Sequence, residues 1–211
     1  MTYLEMVNDV LVRLREPVVT TASETTYSAL IGKFINDAKR QIEDAFAWNI
    51  LGQTFTVTTS SGTASYSLTG SGQKFQEINV LNVTSNITMK NIGTGDMNRK
   101  QNFTPAVNTI PTEYAYDGVD GSYDTKVTLW PVPDGVYSLK FFLVVPQATL
   151  SSDSTVVLVP GNLIVQNAYA RALVERGEDG GLSSSEAYAL DRKSTRLNSS
   201  HIPLSRMPSS A

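Results

Sequence analysis

The stretch from Thr25 to Asn49, TTYSALIGKFINDAKRQIEDAFAWN, is the longest uninterrupted helical pattern in the chain. Apolar residues at Tyr27, Leu30, Ile31, Phe34, Ile35, Ala38, Ile42, Ala45 and Phe46 recur at i, i+3, i+4 and i+7 steps, forming one stripe. Lys33, Asp37, Lys39, Arg40, Glu43 and Asp44 fall mostly off it. Lys39 and Glu43 stand four apart and are expected to form a surface pair worth about 0.3–0.5 kcal/mol. Gly32 is the only interruption, and Ser23 is the expected N-cap, with Glu24 at the positive helix end. Because packing supplies most helix stability, neighbouring segments must cover the stripe.

The segment before it supplies one partner. Thr2-Tyr3-Leu4-Glu5 reads as a capping box, and Leu4, Val7, Val10, Leu11 and Leu14 form a second stripe. This predicts a helix over 3–15, ended by Pro17 and joined to the long helix by a short connection, hence antiparallel to it. Gly52 is expected to close the long helix.

After Gly52 the period changes from helical to alternating. Strands are expected at 54–59, around Tyr66 and Leu68, at 75–84 and 87–92 as a hairpin about Ser85-Asn86, at 111–116, 126–130 and 136–145. Gly93 to Ala106 is polar and ambiguous. Seven or eight short strands at this spacing suit a sandwich or barrel. Helical signals return after Pro160, with Asn162 as cap and Leu163, Ile164, Ala168, Ala172 and Leu173 on one face. Ser183 and Glu186 form a further capping box before Tyr188 and Leu190. The expected fold is therefore α+β. An antiparallel bundle of two N-terminal and two C-terminal helices, residues 1–51 and 160–190, carries an inserted antiparallel β-sandwich or barrel-like domain, residues 52–150.

Residues 192–211 break every pattern: six serines, two prolines, the chain's only histidine and no periodicity. The run RKSTRLNSSH looks like translated adapter nucleotide sequence, so this tail is expected to be disordered and non-native, with the native C-terminus lost near Leu190. The 211 residues carry 17 basic and 20 acidic side chains, and the tail holds four of the basic ones and no acid. The remainder, with 13 basic and 20 acidic residues, is at −7, a poor match to a broad phosphate-tracking face. No long apolar run and no basic leader mark a membrane span or a signal peptide. The sequons at Asn82, Asn86 and Asn102 therefore read as strand and turn chemistry rather than glycosylation sites.

Chemical motifs are sparse. His201 lies in the tail, and there is no cysteine, which removes the ordinary catalytic triads and soft metal sites. Asp117, Asp120 and Asp124 cluster in DGVDGSYD without the distal glutamate of a calcium loop, and read as a turn. The Gly/Ser runs at Ser60–Gly62 and Gly70–Gly72 lack a phosphate-loop ending. Glu175, Glu178 and Asp179 sit at a glycine-rich helix end, too exposed for general acids. Trp48 and Trp130 read as core anchors. No catalytic, cofactor-binding or metal-binding residues are expected, no cofactor is implied, and the chain does not read as an enzyme.

The order of motifs resembles one family. Val7-Asn8-Asp9-Val10-Leu11, then Glu16-Pro17-Val18-Val19, is similar to the N-terminus of podovirus head-to-tail adaptors of the tail tubular protein A group. Ile35-Asn36-Asp37-Ala38 and the helix end Ala47-Trp48-Asn49 fit the same layout. Ile110-Pro111-Thr112-Glu113-Tyr114 resembles the family's proline-tyrosine strand, and residues 127–137, VTLWPVPDGVY, its P-x-P, D-G, tyrosine hairpin. Leu150, Asp153 and Val159-Pro160 complete the order, and the family's longer final helix is the departure. The resemblance implies a structural virion protein of the neck or tail, made in the host bacterial cytoplasm. It implies a homo-oligomeric ring, a dodecamer, that joins the portal protein to the tail nozzle protein. Genomic DNA would pass through without sequence-specific binding, and no membrane is involved. A tail-fibre or receptor-associated β module is the alternative.

Overall fold

The structure is a computed structural model, and it describes residues 1–103, 105 and 107–177. Helix α1 spans Tyr3–Arg13 and α2 spans Thr26–Ala45. The short 3-10 turn Asn49–Leu51 leads into β1 (Gly52–Thr58), β2 (Ser65–Ser67), β3 (Gln76–Asn82), β4 (Ile87–Thr88) and β5 (Lys90–Asn91). Helix α3 (Gly93–Phe103), strands β6 (Glu113–Val119), β7 (Thr125–Trp130) and β8 (Ser138–Val144), and helix α4 (Gly161–Glu175) follow. The fold is mixed α+β. The chain divides into two compact units: Met1–Ile50 with the described residues from Gln147 onward, and Leu51–Pro146.

In the helical unit, α1 begins as its sequence requires. The Glu5 N–H donates to Thr2 Oγ1 at 3.2 Å, and the Thr2 N–H donates to Glu5 Oε2 at 2.8 Å. Its end differs from the expectation. The Arg15 N–H bonds the Val12 carbonyl and the Glu16 N–H bonds the Leu11 carbonyl, with Arg15 at φ 59°. This is a Schellman closure around a left-handed arginine, two residues ahead of Pro17. Helix α2 is capped by Thr25, not Ser23, because Thr25 and Ser28 exchange side chain-to-backbone bonds in a reciprocal box. Glu24 instead accepts from the Thr20 N–H and hydroxyl. The helix stops at Ala45, so Gly52 begins β1 rather than closing α2. Trp48 Nε1 donates to the Ile42 carbonyl at 2.9 Å and satisfies one end of α2.

Helices α1, α2 and α4 pack on one another. Ile31, Ile35 and Ala38 of α2 are fully buried, as are Met6, Val7 and Val10 of α1 and Ile164, Val165 and Ala168 of α4. Gly32 has a steric reason: a Cβ there would overlap the hydroxyl of buried Tyr3. Arg176 ties the three helices at one end, donating to Tyr27 Oη at 2.7 Å and to the Leu14 carbonyl at 3.2 Å, and pairing with Glu16. Gly177, at φ 64°, follows the C-cap of α4. The N-cap of α4 is Pro160 rather than Asn162, and no side chain bonds there. The helix expected at 183–190 and the tail at 192–211 lie outside the described residues.

In the other unit, the strands make two sheets, ordered β1-β8-β3-β4 and β2-β7-β6-β5. All pairs are antiparallel except β5 with β6. One apolar cluster draws Val57, Val80, Leu139, Phe141 and Leu143 from the first sheet and Tyr114, Val127 and Leu129 from the second. The hairpin expected about Ser85-Asn86 forms, with Leu81 opposite Thr88 and Asn82 opposite Ile87, but its second strand is cut short, and the hairpin expected over 127–137 is a crossing between sheets. Residues 87–92 divide at buried Met89, so β4 stays with β3 while β5 joins β6. Likewise β7 and β8 belong to different sheets. Pro131 and Pro133 bring no ladder donors, Val132 bridges to Asn108, and the entry to β8 is taken by Thr59, whose N–H donates to the Tyr137 carbonyl at 2.9 Å. The ambiguous 93–106 region contains α3, which buries Met97 against Ala115 and Trp130 and pairs Lys100 with Glu113 of β6.

The Gly32 contact gives a prediction. Gly32→Ala improves helix propensity by about 1 kcal/mol, yet Tyr3 must shift inside a packed interface, costing about 1–3 kcal/mol. The variant is expected to unfold at lower urea than wild type; an increase in midpoint would contradict the packing described.

Candidate functional site

The residues singled out from sequence scatter, and their roles are architectural. Asp120 Oδ1 accepts from the N–H groups of Ser122 (2.8 Å) and Asp124 (3.0 Å). Those backbone donors hold its carboxyl below the usual aspartate range. Asp124 Oδ1 accepts from the Gly72 N–H at 3.1 Å, so the acidic turn is stapled to the Gly70–Gly72 loop. Asp117 lies in β6, two residues ahead of Val119, where the register with β7 has shifted. Among the described residues, no group of three or more His, Cys, Asp or Glu side chains could hold a metal ion. Glu175 is exposed at the end of α4, whereas Glu178, Asp179 and His201 lie outside the described residues. Trp130 is buried beside Met97, and Trp48 packs edge-on to Phe46 with ring centroids 5.3 Å apart. The Asn82 side chain is buried, donating to the Pro111 carbonyl and accepting from the Ser85 N–H.

The polar side chains that matter were read differently from sequence. Lys39 and Glu43 are not a surface pair: their side chains are 4% and 1% exposed. Lys39 Nζ donates to both Glu43 oxygens, at 3.2 and 3.1 Å, and to the Gln147 carbonyl at 2.6 Å. Glu43 Oε1 accepts from the Gln147 N–H at 3.3 Å. Burial pushes the Glu43 carboxyl up from its usual range, against the opposing pull of Lys39. The pair therefore grips both backbone groups of one residue, the first of the segment returning to the helices. Gln147 repeats the device with its own amide, donating to Val156 O at 2.8 Å and accepting from the Leu158 N–H at 3.1 Å. Asn36 bonds the N–H and carbonyl of Leu150, and Asn8 those of Val19. Asp153 accepts from the Ala22 N–H. An open groove lined by Thr2, Leu4, Glu5, Asn8, Asp153 and Ser154 lies along this seam. Thr2, Glu5, Asn8 and Asp153 already serve caps and backbone bonds there.

A second polar knot sits in the β unit. Glu77 accepts from the hydroxyls of Tyr114 and Tyr116 and from Asn91 Nδ2. It thereby joins β3 of one sheet to β5 and β6 of the other. Tyr114 packs edge-on to Tyr116 and Phe141, with centroids 5.6 and 5.7 Å apart. Burial, then the hydrogen bond and charge of Glu77, drive both phenols well above the usual tyrosine range.

Phe103 is 83% exposed, Val136 70%, Tyr123 66% and Ile78 62%, all in the β unit. Four acids, Glu178, Asp179, Glu186 and Asp191, lie outside the described residues, which carry 13 basic and 16 acidic side chains. No described helix is long and apolar enough to cross a membrane. The family model for the SU10 adaptor protein matches residues 1–200. The chain belongs to the SU10 adaptor protein family. It is thus a phage adaptor, a structural protein of the virion that interacts with other virion proteins. The match runs into the 192–211 tail as far as residue 200. No curated protein matches the chain.

Two predictions follow from the polar knots of this adaptor. Lys39→Met strands Glu43 in the interior and is expected to cost about 3–5 kcal/mol by urea denaturation. Adding Glu43→Leu should recover part of that, leaving about 1–3 kcal/mol for the orphaned Gln147 peptide groups; no cost in the single variant would refute the clamp. For the tyrosines the folded pKa exceeds the unfolded value, so their contribution is whole below about pH 10 and falls as pH rises further. Ultraviolet absorbance titration should find both phenols ionising only with unfolding, and Tyr114→Phe/Tyr116→Phe should flatten the alkaline loss of stability.

Proposed function

We propose that this adaptor joins the portal to the tail nozzle of a podovirus-type particle, in the manner of the tail tubular protein A group. In this reading twelve copies close into a ring in the neck, and genomic DNA passes through it. The helical unit, in which α1, α2 and α4 pack together, forms the ring wall. The two-sheet unit, arranged as a sandwich, presents docking surfaces to the neighbouring proteins. The proposal assigns the chain no reaction. Membership of a phage adaptor family is the observation that carries it. The insertion of the β unit between α2 and α4 supports it, since one helical unit can then anchor while the inserted unit reaches a partner. A ring of identical subunits closes through head-to-tail contacts. The surplus of acidic over basic residues suits a passage to which DNA does not adhere.

A second reading, a receptor-associated β module in the virion, is favoured by the exposure of Phe103 and Tyr123. The test is mass and symmetry by light scattering and negative-stain imaging, alone and with the portal protein. A ring, formed alone or on the portal, supports the connector reading. A chain that stays monomeric with portal present overturns it.

A further inference from the structure

Four strands form the sheet edges, and three of them are blunt: β2 has three residues and β4 and β5 two each. The fourth, β1, runs seven residues, Gly52–Thr58, with no charge and no proline. Its pairing with β8 fixes which backbone groups point outward. The register sets Gly52 opposite Val144 and Thr58 opposite Ser138. Just beyond its ends, the Val145 N–H bonds the Leu51 carbonyl and the Thr59 N–H bonds the Tyr137 carbonyl. The odd-numbered residues therefore bond β8, and Gly52, Thr54, Thr56 and Thr58 turn their N–H and C=O groups away from the sheet. Those four residues are exposed, and their backbone groups meet no partner among the described residues. Protein edges of this length are ordinarily protected by charge, proline, a bulge or a covering element. This one has a regular register and none of the first three.

We propose that the β1 edge pairs antiparallel with the β1 edge of a second copy of this chain, about a twofold axis at Phe55. No other edge strand among the described residues can match its length. The outward set is symmetric about Phe55, so the twofold places Thr54 opposite Thr56 of the second copy and Gly52 opposite Thr58. Each outward N–H then faces an outward carbonyl. Threonine meets threonine on the exposed face, and an uncharged strand meets its copy without repulsion. The contact merges two four-stranded sheets into one of eight. Its area is small, so the dimer is weak and is best trapped covalently. A twofold contact is isologous, unlike the head-to-tail contact of a ring, and its failure leaves the connector reading intact.

The absence of cysteine makes the test clean. Two full-length variants, Thr54→Cys and Thr56→Cys, are purified, mixed and mildly oxidised. Opposed residues in such a pair have Cα atoms about 5.5 Å apart, within disulfide reach. The mixture should yield about tenfold more disulfide dimer than either variant alone, because only the 54–56 pairing lies in register. Equal yields in all three samples, or none, would overturn the proposal. As a second measure, Thr56→Pro removes an outward donor that β8 does not use. With circular dichroism unchanged, it should abolish concentration-dependent dimerisation in sedimentation; dimerisation that persists contradicts the edge geometry.

Discussion

A buried lysine and glutamate hold the closing seam of the helical unit. The chain leaves α2, spends residues Leu51–Pro146 in the two sheets, and must rejoin the helices. Lys39 and Glu43 meet it at Gln147 and satisfy both backbone groups of that residue. Asn36 does the same at Leu150, and Asp153 reaches the Ala22 N–H in the α1–α2 connection. A long return segment has backbone groups that need partners when covered, and side-chain amides and carboxylates supply them without adding a strand. The desolvation of an ion pair is costly; here the pair also serves the peptide it grips, a role that a purely apolar replacement would leave empty.

The β unit solves a parallel problem by different means. Its two sheets exchange strands at Met89 and across Pro131–Pro133, so neither sheet is built from one continuous stretch of chain. The apolar cluster drawn from both faces supplies the bulk of the attraction, and Glu77, receiving two tyrosine hydroxyls, adds direction. Both polar knots among the described residues serve the architecture, in keeping with a structural protein of the virion.

Local chemistry was the legible part of the sequence. The Thr2–Glu5 box, the apolar stripes of α1 and α2, and most strands follow from periodicity and capping, both of which act within a few residues. The misreadings share a cause. Lys39 and Glu43 look solvent-facing because periodicity registers polarity and is blind to a partner 104 or 108 residues away. Thr25 outcompetes Ser23 as cap because Ser28 can answer it. The 131–137 connection looks like a hairpin loop, yet whether two strands share a sheet depends on which third strand claims each edge. Helix α3 is nearly all polar and is secured by Met97 and the Lys100–Glu113 pair, a tertiary anchor that no helical stripe announces. The coarser reading, a phage adaptor, was reached by motif order, which survives such errors because it needs no strand pairing.

Side chains of the helical unit hold loop backbone as firmly as helix holds helix. Native-state hydrogen exchange tests this directly at the amides of Val19, Ala22, Gln147 and Leu150, whose acceptors are Asn8, Asp153, Glu43 and Asn36. The account predicts that all four exchange only with the unfolding of α2, at the same free energy as its central amides. Exchange at the rate of an open loop, while α2 stays protected, would contradict it.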